Sequence, residues 1–378
     1  MAPIPYARQE IDDTDIEAVV RALSSDWLTT GPQVDAFENE FAAAVGAKEA
    51  VALNSGTAAL HAAMHALGIG PGDEVIVPAL TFAATANAVL YVGARPVFAD
   101  VDGATLLLDP ASVRSRMTDR TRAVIGVDYA GQPCNYDLLR ALCAERGVHL
   151  VSDACHALGA FYRDERVGSI AEISTFSFHP AKHITSGEGG MCTTHDAALA
   201  SRMRRFRNHG IDSDHRSRSE SGRHTYDLVE LGYNYRLTDF QSALGRSQLR
   251  RLPGFLARRR AIASSYIDAF AGLRAIRPLA SLEGHVHAWH LFVVRIDETK
   301  LGLTRDAAFA RLRDAGIGVN VHYGPVHLLS LYRRQFGYGP GLCPEAERAA
   351  REIITLPLYP GMTDEDVQLV IAAVQDLD

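Results

Sequence analysis

One pattern recurs through the first half of this chain: a short apolar run, a turn, then a longer stretch with helical spacing. Residues 50–53, 74–77, 96–99, 123–127, 148–152 and 173–178 read as strands. Between them, 57–67, 85–92 and 136–146 read as helices; the first is closed by Gly68 and the turn residues Gly70, Pro71 and Gly72. Such alternation predicts an α/β fold whose large, mostly parallel sheet is covered by helices on both faces.

The second half has a different character. Residues 212–230 are polar and rich in Ser, Arg and His, and read as a loop too long for a simple connector. Two helical patterns follow, 238–252 and 255–273. Beyond them 289–295 and 316–322 read as strands, and 305–315, 345–353 and 364–376 as helices. A chain of 378 residues has material for two or three domains. We expect a boundary near residue 253, giving an N-terminal arm with a large domain (1–253) and a smaller C-terminal α/β domain (254–378).

The charge balance narrows the function classes. With 38 basic against 45 acidic residues the formal net charge is −7, the wrong sign for a chain that neutralises nucleic-acid phosphates. The Arg-rich runs at 202–207, 216–223 and 258–260 read as solvated helix faces. Only Lys48, Lys182 and Lys300 are lysines, so those runs reflect a general preference for Arg. No apolar run is long enough to span a membrane, and the N-terminus lacks the charged-then-apolar form of a signal peptide. The five cysteines (134, 143, 155, 192, 343) form no C-x-x-C pair, which predicts reduced thiols, a cytoplasmic setting and no zinc site.

In open α/β sheets ligands sit beyond the carboxyl ends of the strands, so the polar residues just after each strand are the candidates. G-x-G-x-x-G and G-x-x-x-x-G-K-S/T are both absent, which removes the main signatures of dinucleotide enzymes and NTPases. Asn54-Ser55-Gly56-Thr57 joins a strand to a helix through small residues and would aim backbone N–H groups outward, as an anion site does; alone it is equally an ordinary N-cap. His285, His287 and His290 come close together, but with no accompanying carboxylates they read as packing or loop residues, and no metal is expected.

Lys182 is unlike the other two lysines. It follows a strand and lies in a loop bounded by Pro180 and Gly187, with hydroxyls at Ser177, Thr185 and Ser186. Asp153 ends the 148–152 strand in an apolar setting, so its carboxylate needs a donor or cation. A Lys to bond an aldehyde, an Asp to hold a pyridinium proton and a phosphate cup are the parts that pyridoxal 5′-phosphate (PLP) requires. Phe82, after the 74–77 strand, is placed to cover the ring.

These residues lie within longer motifs: D-W-L-T-T-G-P (26–32), N-S-G-T-A-A-L-H (54–61), P-x-x-T-F (78–82), G-Q-P-C (131–134), D-A-C-H-A-L-G-A (153–160), F-S-F-H-P-A-K-H-I-T-S-G-E-G-G (176–190) and L-G-Y-N-Y-R-L-T-D-F-Q-S-A-L-G (231–245). Through them, from Tyr6 nearly to the C-terminus, the chain resembles the DegT/DnrJ/EryC1/StrS sugar aminotransferases, a branch of the fold-type I PLP enzymes. The resemblance implies that Lys182 carries the cofactor, Asp153 pairs with its ring nitrogen, and His156 lies by the ring and its 3-hydroxyl. It implies Gly56, Thr57 and Ser177 at the phosphate. Asn234 would reach the phosphate of a neighbouring subunit, so a homodimer would share its active sites. Tyr6, Asp26, Trp27, Leu28, Thr29, Asn234, Arg236, His322, Tyr323, Gly324 and Pro325 would line the sugar-nucleotide pocket.

Within the family the strings at 178–190, 130–134 and 153–160 most resemble the PseC-type branch, which makes UDP-4-amino-4,6-dideoxy-N-acetyl-β-L-altrosamine. Those enzymes aminate C4 of UDP-2-acetamido-2,6-dideoxy-β-L-arabino-hexos-4-ulose on the route to pseudaminic acid, with L-glutamate as the implied donor. Other branches use GDP- or dTDP-linked 3- or 4-ketosugars with similar cofactor sites. Sugar 3-dehydratases of the family carry His in place of Lys182, which disfavours that reading. A non-catalytic PLP-binding regulator is disfavoured by the presence of both Lys182 and Asp153.

Overall fold

A computed structural model describes residues 3–213, 218, 222 and 224–378. Its centre is a seven-stranded sheet in the order β1-β9-β8-β5-β4-β2-β3. The strands are β1 (Glu49–Leu53), β2 (Glu74–Pro78), β3 (Arg95–Ala99), β4 (Thr121–Val127), β5 (His149–Asp153), β8 (Ile173–Ser177) and β9 (Gly190–Thr194). The β2–β3, β2–β4, β4–β5 and β5–β8 pairs are parallel, while β9 runs antiparallel to both β8 and β1. Val75, Ile76, Val77, Val124 and Ile125 are fully buried, which is why their strands read as unbroken apolar runs.

Helix α3 (Gly56–Ala66) lies on this sheet through Ala59, Ala62 and Ala63, all fully buried. Six strands and the helices Gly56–Ala66, Ala83–Tyr91 and Tyr136–Arg146 thus follow the sequence reading closely, while helix Pro110–Arg116, between β3 and β4, is absent from it. Strand β9 does not, because Gly187-Glu188-Gly189-Gly190 gives no strand signal. Gly190 is required there: a Cβ would come 2.2 Å from the Ser55 carbonyl oxygen, so only glycine lets β9 run beside the β1–α3 turn.

The remaining strands form two small sheets: β10 (Ile276–Pro278), β12 (Phe292–Ile296) and β13 (Ile353–Leu356), and β11 (His285–Val286) with β6 (Phe161–Tyr162) and β7 (Glu165–Arg166). Tyr266, Phe270, Phe292, Ile354 and Val370 build a second buried cluster around the first of these.

Four sequence expectations need correction. The two helices drawn on either side of residue 253 are one helix, Asp239–Phe270, with Pro253 inside it. Proline removes one N–H, but Leu249, Leu252, Phe255 and Leu256 are all buried on the main core, and packing on both sides keeps the helix continuous. Residues 316–322 form no strand; single bridges tie Ile317 to Ile4 and Asn320 to Thr355. The 289–295 strand begins only at Phe292, because 287–291 is pinned to another loop. Helices α1 (Asp13–Leu23) and α2 (Pro32–Val45), absent from the sequence reading, pack on the long helix. Of the 212–230 loop, Leu228 bridges back to Ile211, and much of the rest lies outside the described residues. Among the described residues no helix is long and apolar enough to cross a membrane.

Candidate active site

The carboxyl ends of β4, β5 and β8 open into a cavity of about 530 Å³. The lining includes Gly56, Thr57, Phe82, Asp153, His156, Ser177 and Lys182, with Tyr6, His322 and Tyr323 from distant parts of the chain. Ten of the residues singled out in the sequence therefore meet in one place.

One end of the cavity suits an anion. The Ser55 hydroxyl oxygen caps α3 by accepting the Ala58 N–H at 3.1 Å, and the first-turn N–H groups have no partner within the helix. A Cβ on Gly56 would come 2.9 Å from the Ser177 Cβ. Glycine at this position lets the helix start and the end of β8 converge, with the Thr57 and Ser177 side chains beside them. Such a cup fits a phosphate.

Asp153 is the last residue of β5, 6% exposed, in register with Val127 and Thr175. One carboxylate oxygen accepts the Thr85 hydroxyl at 2.7 Å, and the other accepts the Cys155 N–H at 3.3 Å. The Thr85 hydroxyl oxygen lies 2.8 Å from that of Thr81. The sequence required a donor for Asp153 and left it unnamed. No periodicity signals the pair, because Thr81 precedes the N-cap Phe82 and only Thr85 lies within helix Ala83–Tyr91.

Lys182 is half-buried in the loop between β8 and β9, its N–H donating to the His179 carbonyl at 2.9 Å. Burial pulls its amine below the ordinary lysine value, against the opposing pull of Cys155 and Asp153. A lowered amine is more often neutral, as a nucleophile must be. Lys182, Asp153 and the anion cup thus occupy one cavity, and an amine, a carboxylate and an anion site are the parts that PLP requires.

Imidazoles crowd the same space. Tyr323 OH and His156 Nε2 are 3.1 Å apart, and the buried Nδ1 of His156 has no partner. His322 shares a hydrogen bond with the Thr355 hydroxyl at 2.9 Å, and Tyr129 donates to its carbonyl. Burial, and then the Lys182 charge, bring His322 down to about 4 and hold His156 well below the usual histidine range. His290 also lines the cavity, its ring centroid 4.5 Å from that of His156. His287 packs, stacked on Trp289 at 3.9 Å.

Eight predicted residues lie outside this cavity. Asp26, Trp27, Leu28 and Asn234 are exposed, and Asn234 offers its carbonyl to the Asn54 side chain at 3.4 Å. Thr29 and Arg236 meet in a separate hollow of about 550 Å³, where Arg236 donates to the Asn208 side chain at 2.7 Å. Gly324 and Pro325 continue the chain past Tyr323 without lining the cavity.

Known proteins share this architecture. The DegT/DnrJ/EryC1/StrS aminotransferase family matches residues 9–375. The spore coat polysaccharide biosynthesis protein SpsC of Bacillus subtilis is 44% identical over 377 residues, covering 99% of this chain and 97% of that protein. Spr1654 of Streptococcus pneumoniae, named as a sugar aminotransferase, is solved in PMP and PLP forms. Each form is 33% identical and covers 99% of this chain and 98% of its own, with TM-scores of 0.93 and 0.92. Helicobacter pylori PseC, described as an aminotransferase of pseudoaminic acid biosynthesis, is 31% identical with a TM-score of 0.92 and 99% coverage of both chains. Fold, cavity and these similarities agree: the chain belongs to the DegT/DnrJ/EryC1/StrS aminotransferase family and is a PLP-dependent sugar aminotransferase.

Proposed function

We propose that this enzyme moves an amino group from L-glutamate to C4 of a nucleotide-linked 4-keto-6-deoxyhexose. Its preferred substrate in this reading is UDP-2-acetamido-2,6-dideoxy-β-L-arabino-hexos-4-ulose. The observation that carries the reading is the meeting of Lys182, Asp153 and the α3 anion cup in one cavity beside His156 and Tyr323. Similarity to PseC along the whole chain supports the sugar; the higher identity to SpsC supports a polysaccharide precursor more generally. A GDP- or dTDP-linked 3- or 4-ketosugar is the alternative.

Bound PLP supplies an electron sink for the bond broken beside the amine nitrogen. Asp153 then holds a proton on the ring nitrogen, Gly56, Thr57 and Ser177 hold the phosphate, and Phe82 covers the ring. The Lys182 Nζ carries the proton to and from the reacting carbon. In this reading residues 1–253 bind the cofactor and 254–378 close the cavity with His322 and Tyr323. The five unpaired cysteines support a reducing, cytoplasmic setting.

Two copies would complete the site. Asn234 and Arg236 face away from their own cavity and belong to a surface with Leu228 (60% exposed) and Leu231 (77% exposed), an apolar area that a partner subunit would cover. Asp26, Trp27, Leu28 and Thr29 would meet the nucleotide of the partner's substrate, with Gly324 and Pro325 at the mouth.

The test has two parts. Borohydride trapping followed by peptide mapping should put the pyridoxyl label on Lys182. Glutamate with a panel of UDP-, GDP- and dTDP-ketosugars, read by mass spectrometry, should yield the UDP-4-aminosugar. A label elsewhere sinks the site, and product from a GDP or dTDP sugar alone sinks the substrate.

A further inference from the structure

The amino donor of a transaminase is an α-amino acid, so its carboxylate is attached to the carbon that reacts. Wherever Lys182 works, hydrogen-bond donors for that carboxylate must stand close by. Among the described residues, the chain's own lining of this cavity includes no arginine. Gly56, Thr57 and Ser177 are committed to the phosphate end. His156 Nε2 already faces Tyr323, and His322 Nδ1 faces Thr355.

Among the described residues, His290 has neither ring nitrogen engaged. It is 6% exposed and lines the cavity beside His156. Its Nδ1 is buried without a partner, and among the described residues no protein group bonds Nε2. A polar side chain this buried and this unsatisfied needs a ligand. A bare nitrogen lone pair is easier to bury than an unanswered N–H, so the proton belongs on Nε2, where the ring meets the cavity.

The backbone around it is fixed. Ala288 and Leu291 donate N–H bonds to the carbonyls of Gly131 and Ala130 at 2.9 and 3.1 Å. The buried Arg259 guanidinium grips the carbonyls of Trp289 and His290 at 3.1 and 3.3 Å. A Cβ at Gly131 would come 3.0 Å from the His290 nitrogen, so the two loops touch because one of them is glycine there. This places the ring without an ordering cost at the moment of binding.

We propose that His290 is the contact for the amino donor's α-carboxylate, its Nε2–H donating to a carboxylate oxygen of the incoming amino acid. The inference rests on the aminotransferase reading and not on glutamate being the donor. The same space must hold an anion in one half-reaction and an uncharged sugar ring in the other. A neutral imidazole donates to the carboxylate in the first and leaves no buried charge unpaired in the second. Lys182, His156, His183 and Arg259 all face His290, and burial together with their charges keeps it neutral.

The experiment uses holoenzyme and 2-methylglutamate, an α-amino acid with no proton to lose at the reacting carbon, titrated by visible absorbance. His290→Phe should bind it roughly tenfold or more weakly, the loss of one hydrogen bond to a charged group. His290→Gln, which keeps an N–H near the Nε2 position, should recover most of that loss. Reaction of the amine-loaded form of each variant with the ketosugar should stay within about twofold of wild type, because no carboxylate is present there. Should His290→Phe fail to fold, His290→Leu takes its place. Equal losses in both halves, unchanged binding, or a His290→Gln as weak as the apolar variants would overturn the proposal. If the wild-type cofactor is loaded by another amino acid and not by glutamate, the donor assignment falls, and the 2-methyl form of that amino acid reads His290 in the same way.

Discussion

In the proposed reading Asp153 serves a ring nitrogen only while its carboxylate is aimed at it, and Thr85 does much of the aiming. The Thr85 hydroxyl donates at 2.7 Å to a carboxylate that is nearly buried. A hydrogen bond to a charged group contributes about 1.5–3 kcal/mol. Thr85→Val should therefore lower the rate of the glutamate half-reaction by roughly tenfold or more, while Thr85→Ser, which keeps the hydroxyl, should stay near wild type. Stopped-flow absorbance measures both, and equal rates for Val and Ser would remove Thr85 from the site. The contrast between Asp153 and Thr85 also shows what single residues reveal. Asp153 and Lys182 stood out because each breaks its local pattern, a charge at the end of an apolar strand and one of three lysines beside hydroxyls. Thr85 breaks no pattern, since threonine near a helix start is ordinary, and its partner lies 68 positions away. His290 was given no place in the cavity for a related reason: its neighbours His285 and His287 suggested a local motif, while its ring lies against His156.

At the scale of elements, the buried carboxyl of Asp128 joins strands to a helix. It accepts the Cys134 N–H at 2.9 Å, the Tyr136 hydroxyl at 2.8 Å and the Ser152 hydroxyl at 2.8 Å, which ties β4, β5 and helix Tyr136–Arg146 together behind Asp153. Burial lifts this carboxyl to about 7, against the pull of those three donors. The native state then keeps a proton that the unfolded chain releases near pH 4. Raising pH from about 4 to about 7 should lower native stability through this group, by up to about 1.4 kcal/mol per unit, with no further loss above it. Asp128→Asn cannot titrate. Relative to wild type its urea midpoint should climb between pH 5 and 7 and then level off; parallel curves would contradict the assignment. Strands of this kind were easy to read, because burial on both faces makes their sequence uniformly apolar. The antiparallel β9, the helices α1 and α2, and the passage of the long helix through Pro253 were not. Each depends on what packs against it: the Ser55 carbonyl at Gly190, the long helix beneath α1 and α2, and the main core on both sides of Pro253.

For the whole molecule the decisive feature is that predicted site residues divide between two places. Lys182, Asp153 and the phosphate cup share a cavity, while Asn234, Arg236 and Thr29 sit on an outer surface rich in exposed apolar side chains. A chain acting alone would give the second group no role at the cofactor. In a twofold dimer each cavity would receive those residues from the other copy. The consequence can be measured by mixing. Lys182→Ala and Asn234→Ala proteins should each be strongly impaired alone. After dissociation and random reassociation, half of the dimers would carry one of each chain. In such a dimer one site has both lesions, and the other has neither. Activity should then return to about a quarter of the wild-type level. Lys182→Ala mixed with Asp153→Asn serves as a second pair: both residues belong to the same cavity, so each mixed site keeps one lesion and no recovery is expected. Recovery in the first mixture alone requires that Asn234 act across the interface. A first mixture no more active than its components would place Asn234 outside the partner's site and leave the cavity of each chain complete in itself.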